Sequence, residues 1–400
     1  MLPGALRAEQ SASGLLVYRK RRPPAAIKRS VGVRPDEPMF RLNTICPYYT
    51  MFPLAFPFQR LAKAAASEWV LDPFCGRGTT VFAARLRGLG CVGIDSNPIA
   101  AAIAAAKLTD TTAEAVITFA GRVLRRARCD VDVPDGTFWR MGFHRSTLRD
   151  ICLIRKRLLE SCSSDEEVAL RALMLGILHG PMHKSVPTYL SNQMPRTYAT
   201  KPAAAVHFWK EHRQTRPRAV GVLDAIARRA RHTFNASPPA VRGEVHLGDS
   251  RSAHTFLSPT RQFSWVITSP PYFGMRTYRP DQWLRNWFLG GSADVNYDQT
   301  GQLSHHSERF ADELAAVWRA IARRCVPDAR LIVRFGYLPS IPVDARNLLR
   351  ASFARAAAGW RIRGWLDAGS SSNGKRQSEQ FGQCTQAAAC EIDVYARLEV

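Results

Sequence analysis

Glu68-Trp69-Val70-Leu71-Asp72-Pro73-Phe74-Cys75-Gly76-Arg77-Gly78-Thr79-Thr80 is the stretch on which the fold turns. Glu68 to Leu71 reads as a short apolar strand, and the Ala-rich run from about Thr80 to Leu89 as a helix. The loop between them carries two glycines, which accept positive φ and let a ligand approach the main chain. Free N–H groups at the start of the helix carry partial positive charge and suit a carboxylate. Farther along, Cys91 to Ile94 predicts a second strand and Pro98 to Leu108 a second helix. Strand, glycine loop, helix, strand is how a doubly wound parallel sheet opens, so the expected fold class is α/β.

Asp95, in Gly93-Ile94-Asp95-Ser96-Asn97-Pro98, closes that second strand 17 residues after Gly78. An acid there accepts hydrogen bonds from both ribose hydroxyls of an adenosine. A dinucleotide site calls for a third glycine, and Val81 stands in its place, which disfavours a nicotinamide enzyme.

Asp72 to Thr80 resembles the cofactor loop of amino-methylating DNA methyltransferases, whose first motif looks like D-P-F-x-G-x-G-T-T. The resemblance implies a Rossmann-like class I methyltransferase sheet and S-adenosylmethionine as cofactor. It sets Phe74 beside the adenosine and the main chain around Gly76 and Gly78 against the methionine end. Asp72, Thr79 and Thr80 belong to the same loop, and Asp95 with Ser96 takes the ribose. Relatives often have a small residue where this chain has Arg77, which either reaches the cofactor carboxylate or faces solvent. Tyr48 to Phe58 is similar to the family's methionine-contacting motif and brings Tyr49 and Phe52 to the cofactor. Asp249, followed by Ser250, resembles the family's third motif, an acceptor for the adenine amine; the alternative is a surface turn.

A second informative stretch is Trp265-Val266-Ile267-Thr268-Ser269-Pro270-Pro271-Tyr272. An apolar strand runs into two prolines, which end the ladder and fix an extended backbone. S-P-P-Y is similar to the tetrapeptide of cytosine-N4 methyltransferases, where adenine-N6 enzymes more often carry D-P-P-Y or N-P-P-Y. The lone pair of an exocyclic base amine is delocalised into its ring, so the nitrogen must be drawn towards tetrahedral geometry before it attacks a methyl sulfonium. The Ser269 hydroxyl oxygen and a backbone carbonyl, that of Pro270, are the expected acceptors of its two protons, with Pro271 stiffening the turn. Positioning and electrostatic preorganisation then provide the rate. Tyr272, with Phe273, is expected to stack on a target base swung out of the duplex.

The likeness continues through Phe273-Gly274-Met275-Arg276-Thr277-Tyr278 and Asp281 to Phe288, a stretch resembling one branch of bacterial restriction–modification or orphan DNA methylases. It offers Arg276 and Tyr278 to DNA and admits a cognate restriction nuclease as a second partner. A cytosine-C5 enzyme needs a cysteine nucleophile, usually after proline, and no Pro-Cys pair occurs. Adenine N6, a guanine N2 in structured RNA, and a non-catalytic nucleic-acid-binding protein on the same fold stay open as alternatives. Another Ser-Pro-Pro, at 237–239, lacks an upstream strand and a following aromatic and reads as a linker.

Outside these motifs, 400 residues suggest about two domains or one with a large insertion. The expected division is a basic arm at 1–38, a first catalytic part at 39–111, a helical insertion at 112–238 and a second catalytic part at 239–400. Helical periodicity appears in Leu148 to Leu159 and Glu166 to Leu178, and strand patterning in Val245 to Leu247, Trp265 to Thr268 and Leu331 to Phe335. Gly369 to Gln380 reads as a polar loop, and an apolar stretch follows from Ile392 to Val400. Nine scattered cysteines without C-x-x-C spacing argue against zinc sites and a disulfide framework and fit a reducing cytoplasm. No apolar run approaches the roughly 20 residues that span a bilayer.

A formal net charge of +23 attracts polyanions and makes nucleic acid the first partner to consider. Residues 112–238 are the candidate reader of DNA sequence, because Lys184, Arg196 and Lys201 lie among Tyr189, Asn192, Gln193 and Tyr198. That mixture combines phosphate-binding cations with groups that read base edges. The cofactor loop precedes the tetrapeptide here, the reverse of the usual order in S-P-P-Y enzymes, as in a circularly permuted version of the same sheet.

Overall fold

The computed structural model describes residues 37–48, 53–125, 131–180, 189–192, 202–214, 217–273, 282–294, 306–337, 343–370 and 390–399. The chain enters through a 3-10 turn, Pro38–Thr44, and helix α1 (Ala55–Arg60). Strand β1 (Trp69–Asp72) follows, then α2 (Thr79–Leu86), β2 (Gly90–Asp95) and α3 (Pro98–Ala106). Six helices come next: α4 (Ala113–Arg125), α5 (Thr137–Gly142), α6 (Arg145–Glu160), α7 (Asp165–Ile177), α8 (Pro202–Glu211) and α9 (Val222–Thr233). Then come β3 (Gly243–Leu247), α10 (Ala253–Phe256), β4 (Phe263–Thr268), α11 (Trp283–Phe288), α12 (Ser307–Ala322), β5 (Cys325–Tyr337), α13 (Ala345–Ala356), β6 (Trp360–Ser370) and β7 (Cys390–Leu398).

The strands form one sheet in the order β3-β2-β1-β4-β5-β7-β6. The first five are mutually parallel, and β7 runs antiparallel to both β5 and β6. The chain winds outward from β1 to β3 and then returns to lay β4 on the other side of β1. The switch point therefore falls between β1 and β4, where the crevice of an open α/β sheet binds ligands. The order of cofactor loop and tetrapeptide follows directly from this winding. The fold is the doubly wound, Rossmann-like α/β architecture expected of class I methyltransferases.

Local sequence explains the elements around the crevice. β1 is apolar almost throughout because helices cover both faces of a parallel sheet. The Asn97 side chain accepts from the Ile99 N–H at 2.9 Å and Pro98 opens the first turn, so α3 starts at a fixed place. Alanines dominate α3 and are nearly all buried, which lets it lie close on its neighbours. One core gathers α2, α3 and the buried sides of α4 to α9 on one face of the sheet, and a second gathers α12 and α13 on the other. The six helices between α3 and β3 thus share their interior with the sheet. No helix among the described residues is long and apolar enough to cross a membrane.

The strands run longer than the sequence reading at β3, β4 and β5, since pairing with a neighbour carries the ladder past the apolar centre. β6 escapes the periodicity reading because Arg361, Arg363 and Asp367 interrupt it. Charges of this kind mark an edge strand and discourage pairing with other chains.

Candidate active site

The loop after β1 is stitched to the end of β2. The Cys75 N–H donates to the Ile94 carbonyl at 2.9 Å, and the Gly76 N–H to Asp95 Oδ2 at 2.8 Å. Asp95 Oδ1 accepts from the Asn97 N–H at 2.8 Å. Each carboxylate oxygen so keeps one further lone pair. Burial pushes Asp95 up to about 6, against the pull of those two N–H groups. Gly78 caps α2 at φ +78°, and a Cβ there would stand 2.8 Å from Ala104. Glycine is required at 78 on both counts. Ser96 is exposed beside Asp95.

Asp72 ends β1 facing β4. Its Oδ1 accepts from the Thr268 hydroxyl at 2.6 Å and from the Phe74 N–H at 3.2 Å. The Thr80 hydroxyl donates to the Ile267 carbonyl at 3.1 Å, and Thr79 is buried next to it. Burial pushes Asp72 up to about 7, opposed by its hydrogen bonds and assisted by the nearby charge of Asp95. Phe74 is half-buried and meets Trp318 edge-on, with centroids 6.4 Å apart. From upstream, the Tyr48 hydroxyl accepts from Asn97 Nδ2 at 3.0 Å. Tyr49 and Phe52 lie outside the described residues.

Ser269 follows Thr268 directly, so the tetrapeptide starts beside the glycine loop. Ser269 is half-buried, Pro270 buried and Pro271 exposed. The Tyr272 hydroxyl donates to Glu391 Oε1 at 2.6 Å, and the Ser269 side chain lies near it. The Tyr272 ring lies against Gly336 so closely that a Cβ there would meet it at 2.0 Å. Burial and the Glu391 charge raise the Tyr272 hydroxyl above its ordinary value. Arg334 stands 3.9 Å from Glu391 and grips Asp393 with bonds of 2.7 and 2.9 Å. Glu391 is the residue that sequence reasoning missed: it is the second residue of β7, far along the chain with no motif around it.

Several expected roles change once side chains are placed. Phe273 is 5% exposed and packs against Phe310 in the second core, so it cannot stack on a base. Asp249 faces Arg251, which takes both its oxygens, and the pairing holds its carboxyl below the usual range despite partial burial. The Ser250 hydroxyl donates to the Pro73 carbonyl and anchors the loop. Tyr189 is buried over Gly180, and Asn192 Nδ2 donates to the carbonyls of Met141 and Gln214 at 2.6 and 3.0 Å. Those two residues hold the helices together and do not face outward to read bases. Lys184, Arg196, Lys201, Gln193, Tyr198, Arg276 and Tyr278 lie outside the described residues. The second Ser-Pro-Pro presents the carbonyls of Pro238 and Pro239 to Arg85, at 3.2 and 2.9 Å.

No family model and no curated protein matches the sequence. Solved structures do. The rRNA methyltransferase aviRa from Streptomyces viridochromogenes is similar at 14% identity, covering 88% of each chain with a TM-score of 0.35. A SAM-dependent methyltransferase from Methanosarcina mazei is similar at 8% identity, covering 88% of this chain and 99% of its own, with a TM-score of 0.31. Likeness this distant carries no argument about activity, and the architecture rests on the strand order itself.

Proposed function

We propose that the chain is an S-adenosylmethionine-dependent methyltransferase acting on the exocyclic N4 amine of cytosine in DNA. The observation that carries this reading is the Thr268–Asp72 hydrogen bond at 2.6 Å, which brings the start of S-P-P-Y against the glycine loop at the switch point. The residues fit the cofactor. Asp95 keeps lone pairs for two ribose hydroxyls, and the loop glycines leave main chain open to the amino-acid end. The cofactor, when bound, supplies an electrophilic methyl group. The Ser269 hydroxyl oxygen accepts a hydrogen bond from one N–H of the amine and the Pro270 carbonyl from the other, and the one proton lost on methylation leaves to water. Tyr272, fixed by Glu391, keeps the Ser269 hydroxyl turned so that its oxygen faces the amine. The large positive charge suits a polyanionic substrate.

The test is mass spectrometry of nucleosides from DNA and, in parallel, RNA incubated with the protein and methyl-labelled cofactor. N4-methylcytosine in DNA is the expected product. N6-methyladenine would move the acceptor to adenine, label in RNA alone would move the polymer, and no label would remove the enzymatic reading.

A further inference from the structure

Two arginines stand at opposite ends of α2, Arg77 just before it and Arg85 in its last turn, and they are treated very differently. Arg85 is 1% exposed, and its guanidinium donates to four carbonyls: Lys107 at 2.7 Å, Thr109 at 2.7 Å, Pro239 at 2.9 Å and Pro238 at 3.2 Å. Arg77 is 5% exposed, yet its Nε and Nη2 are buried without any hydrogen-bond partner among the described residues. Its electrostatic neighbours offer no counter-ion. The Cys46 thiol lies close, and so does Lys107, fully buried, whose Nζ donates to Asn43 Oδ1 at 2.7 Å. Arg285, 4% exposed, acts on the same Cys46 and leaves its own Nη2 unpartnered. Two buried guanidinium groups so share this neighbourhood, and among the described residues neither is hydrogen-bonded to a carboxylate.

A buried guanidinium with orphaned N–H groups is strongly unfavourable and signals an anion that completes it. Arg77 sits between Gly76 and Gly78, so an anion that reaches it belongs to a ligand seated on this loop. A planar guanidinium suits a carboxylate, which it holds by two parallel hydrogen bonds. We propose that Arg77, with Arg285 adding to the local positive potential, receives the carboxylate at the amino-acid end of the cofactor. This rests on the S-adenosylmethionine reading above. Discrimination for the intact amino-acid end then lies in one side chain and not only in the main chain of the glycine loop.

Calorimetric titration with two ligands separates the possibilities. S-adenosylhomocysteine has the carboxylate; 5′-methylthioadenosine shares the adenosine and sulfur but lacks the amino-acid end. Wild-type protein is expected to bind the first at least tenfold more tightly. Arg77→Met should weaken S-adenosylhomocysteine at least tenfold and change methylthioadenosine less than twofold, with Arg77→Lys intermediate. Equal weakening of both ligands would mean a merely structural arginine and overturn the proposal. Equal wild-type affinities would overturn it without any variant, so a poorly folding substitution does not shelter it. Wild-type protein that binds neither ligand would remove the cofactor reading itself.

Discussion

The Thr268 hydroxyl donates to Asp72 Oδ1 at 2.6 Å, a bond that joins the end of β4 to the end of β1 inside the protein. Replacing Thr268 by Val keeps the shape and removes the donor. We expect a loss of about 1–3 kcal/mol in urea denaturation, the cost of an undersatisfied buried acceptor. Thr268→Ser should recover most of it. The sign of the pH dependence follows from Asp72, which burial raises to about 7 in the folded protein. An acid raised in this way contributes stability below its unfolded value and loses it as pH rises through the folded one. Removing a donor to the ionised form raises Asp72 further. The deficit of the Val variant should therefore be larger at pH 8 than at pH 5.

On the proposed reading Ser269 bears on turnover and not on cofactor affinity. Ser269→Ala should lower kcat about 100-fold, the scale of one preorganised polar contact in the transition state. The dissociation constant of S-adenosylhomocysteine should stay within about twofold, because the glycine loop and Asp95 are untouched. Equal loss of both would reassign Ser269 to the fold.

On the proposed reading Tyr272 acts through the neighbouring Ser269 while donating to Glu391 at 2.6 Å. Tyr272→Phe and Glu391→Gln each disturb the orientation of the serine without emptying the pocket. About a tenfold fall in kcat with little change in KM is expected for the first. Gln keeps an acceptor oxygen, so the second should fall less. A rise in KM with kcat unchanged would place Tyr272 in substrate binding instead.

Cofactor binding should release protons near pH 6. Asp95 is raised to about 6 by burial, and ribose hydroxyls donating to it favour its ionised form. Bound ligand therefore lowers its pKa. Calorimetry at pH 6 in two buffers of different protonation enthalpy should show the release. Affinity should climb with pH up to about 6 and then level off. A flat profile from pH 5 to 8 would detach Asp95 from the ligand.

The sheet and the glycine loop were legible because their information is local. Apolar runs, glycines and prolines mark strand, turn and helix wherever they occur, and Asp72, Asp95 and Ser269 sit at strand ends that those marks define. Partnerships across the chain left no such trace. Nothing around Glu391 indicates that it meets Tyr272, 119 residues away. Asp249 looked available until Arg251, two residues later, was seen to take both its oxygens. Phe273 follows a motif and reads as part of it, although its ring lies in the core against Phe310. Arg77 was undecidable in sequence, since burial of a loop side chain depends on what packs over the loop.

The shared interior of the sheet and of α4 to α9 has an evolutionary consequence. A recognition module joined by a linker can be transplanted between relatives as a cassette. These helices cannot, because lifting them away would strip the apolar cover that α7 gives α3. Chimaeras cut at residues 112 and 238 should misfold unless both halves of the interface are exchanged. If the proposed function holds, new target preferences in such a lineage would then arise by drift in the connecting loops, while the helices stay fixed as part of the body that carries the sheet.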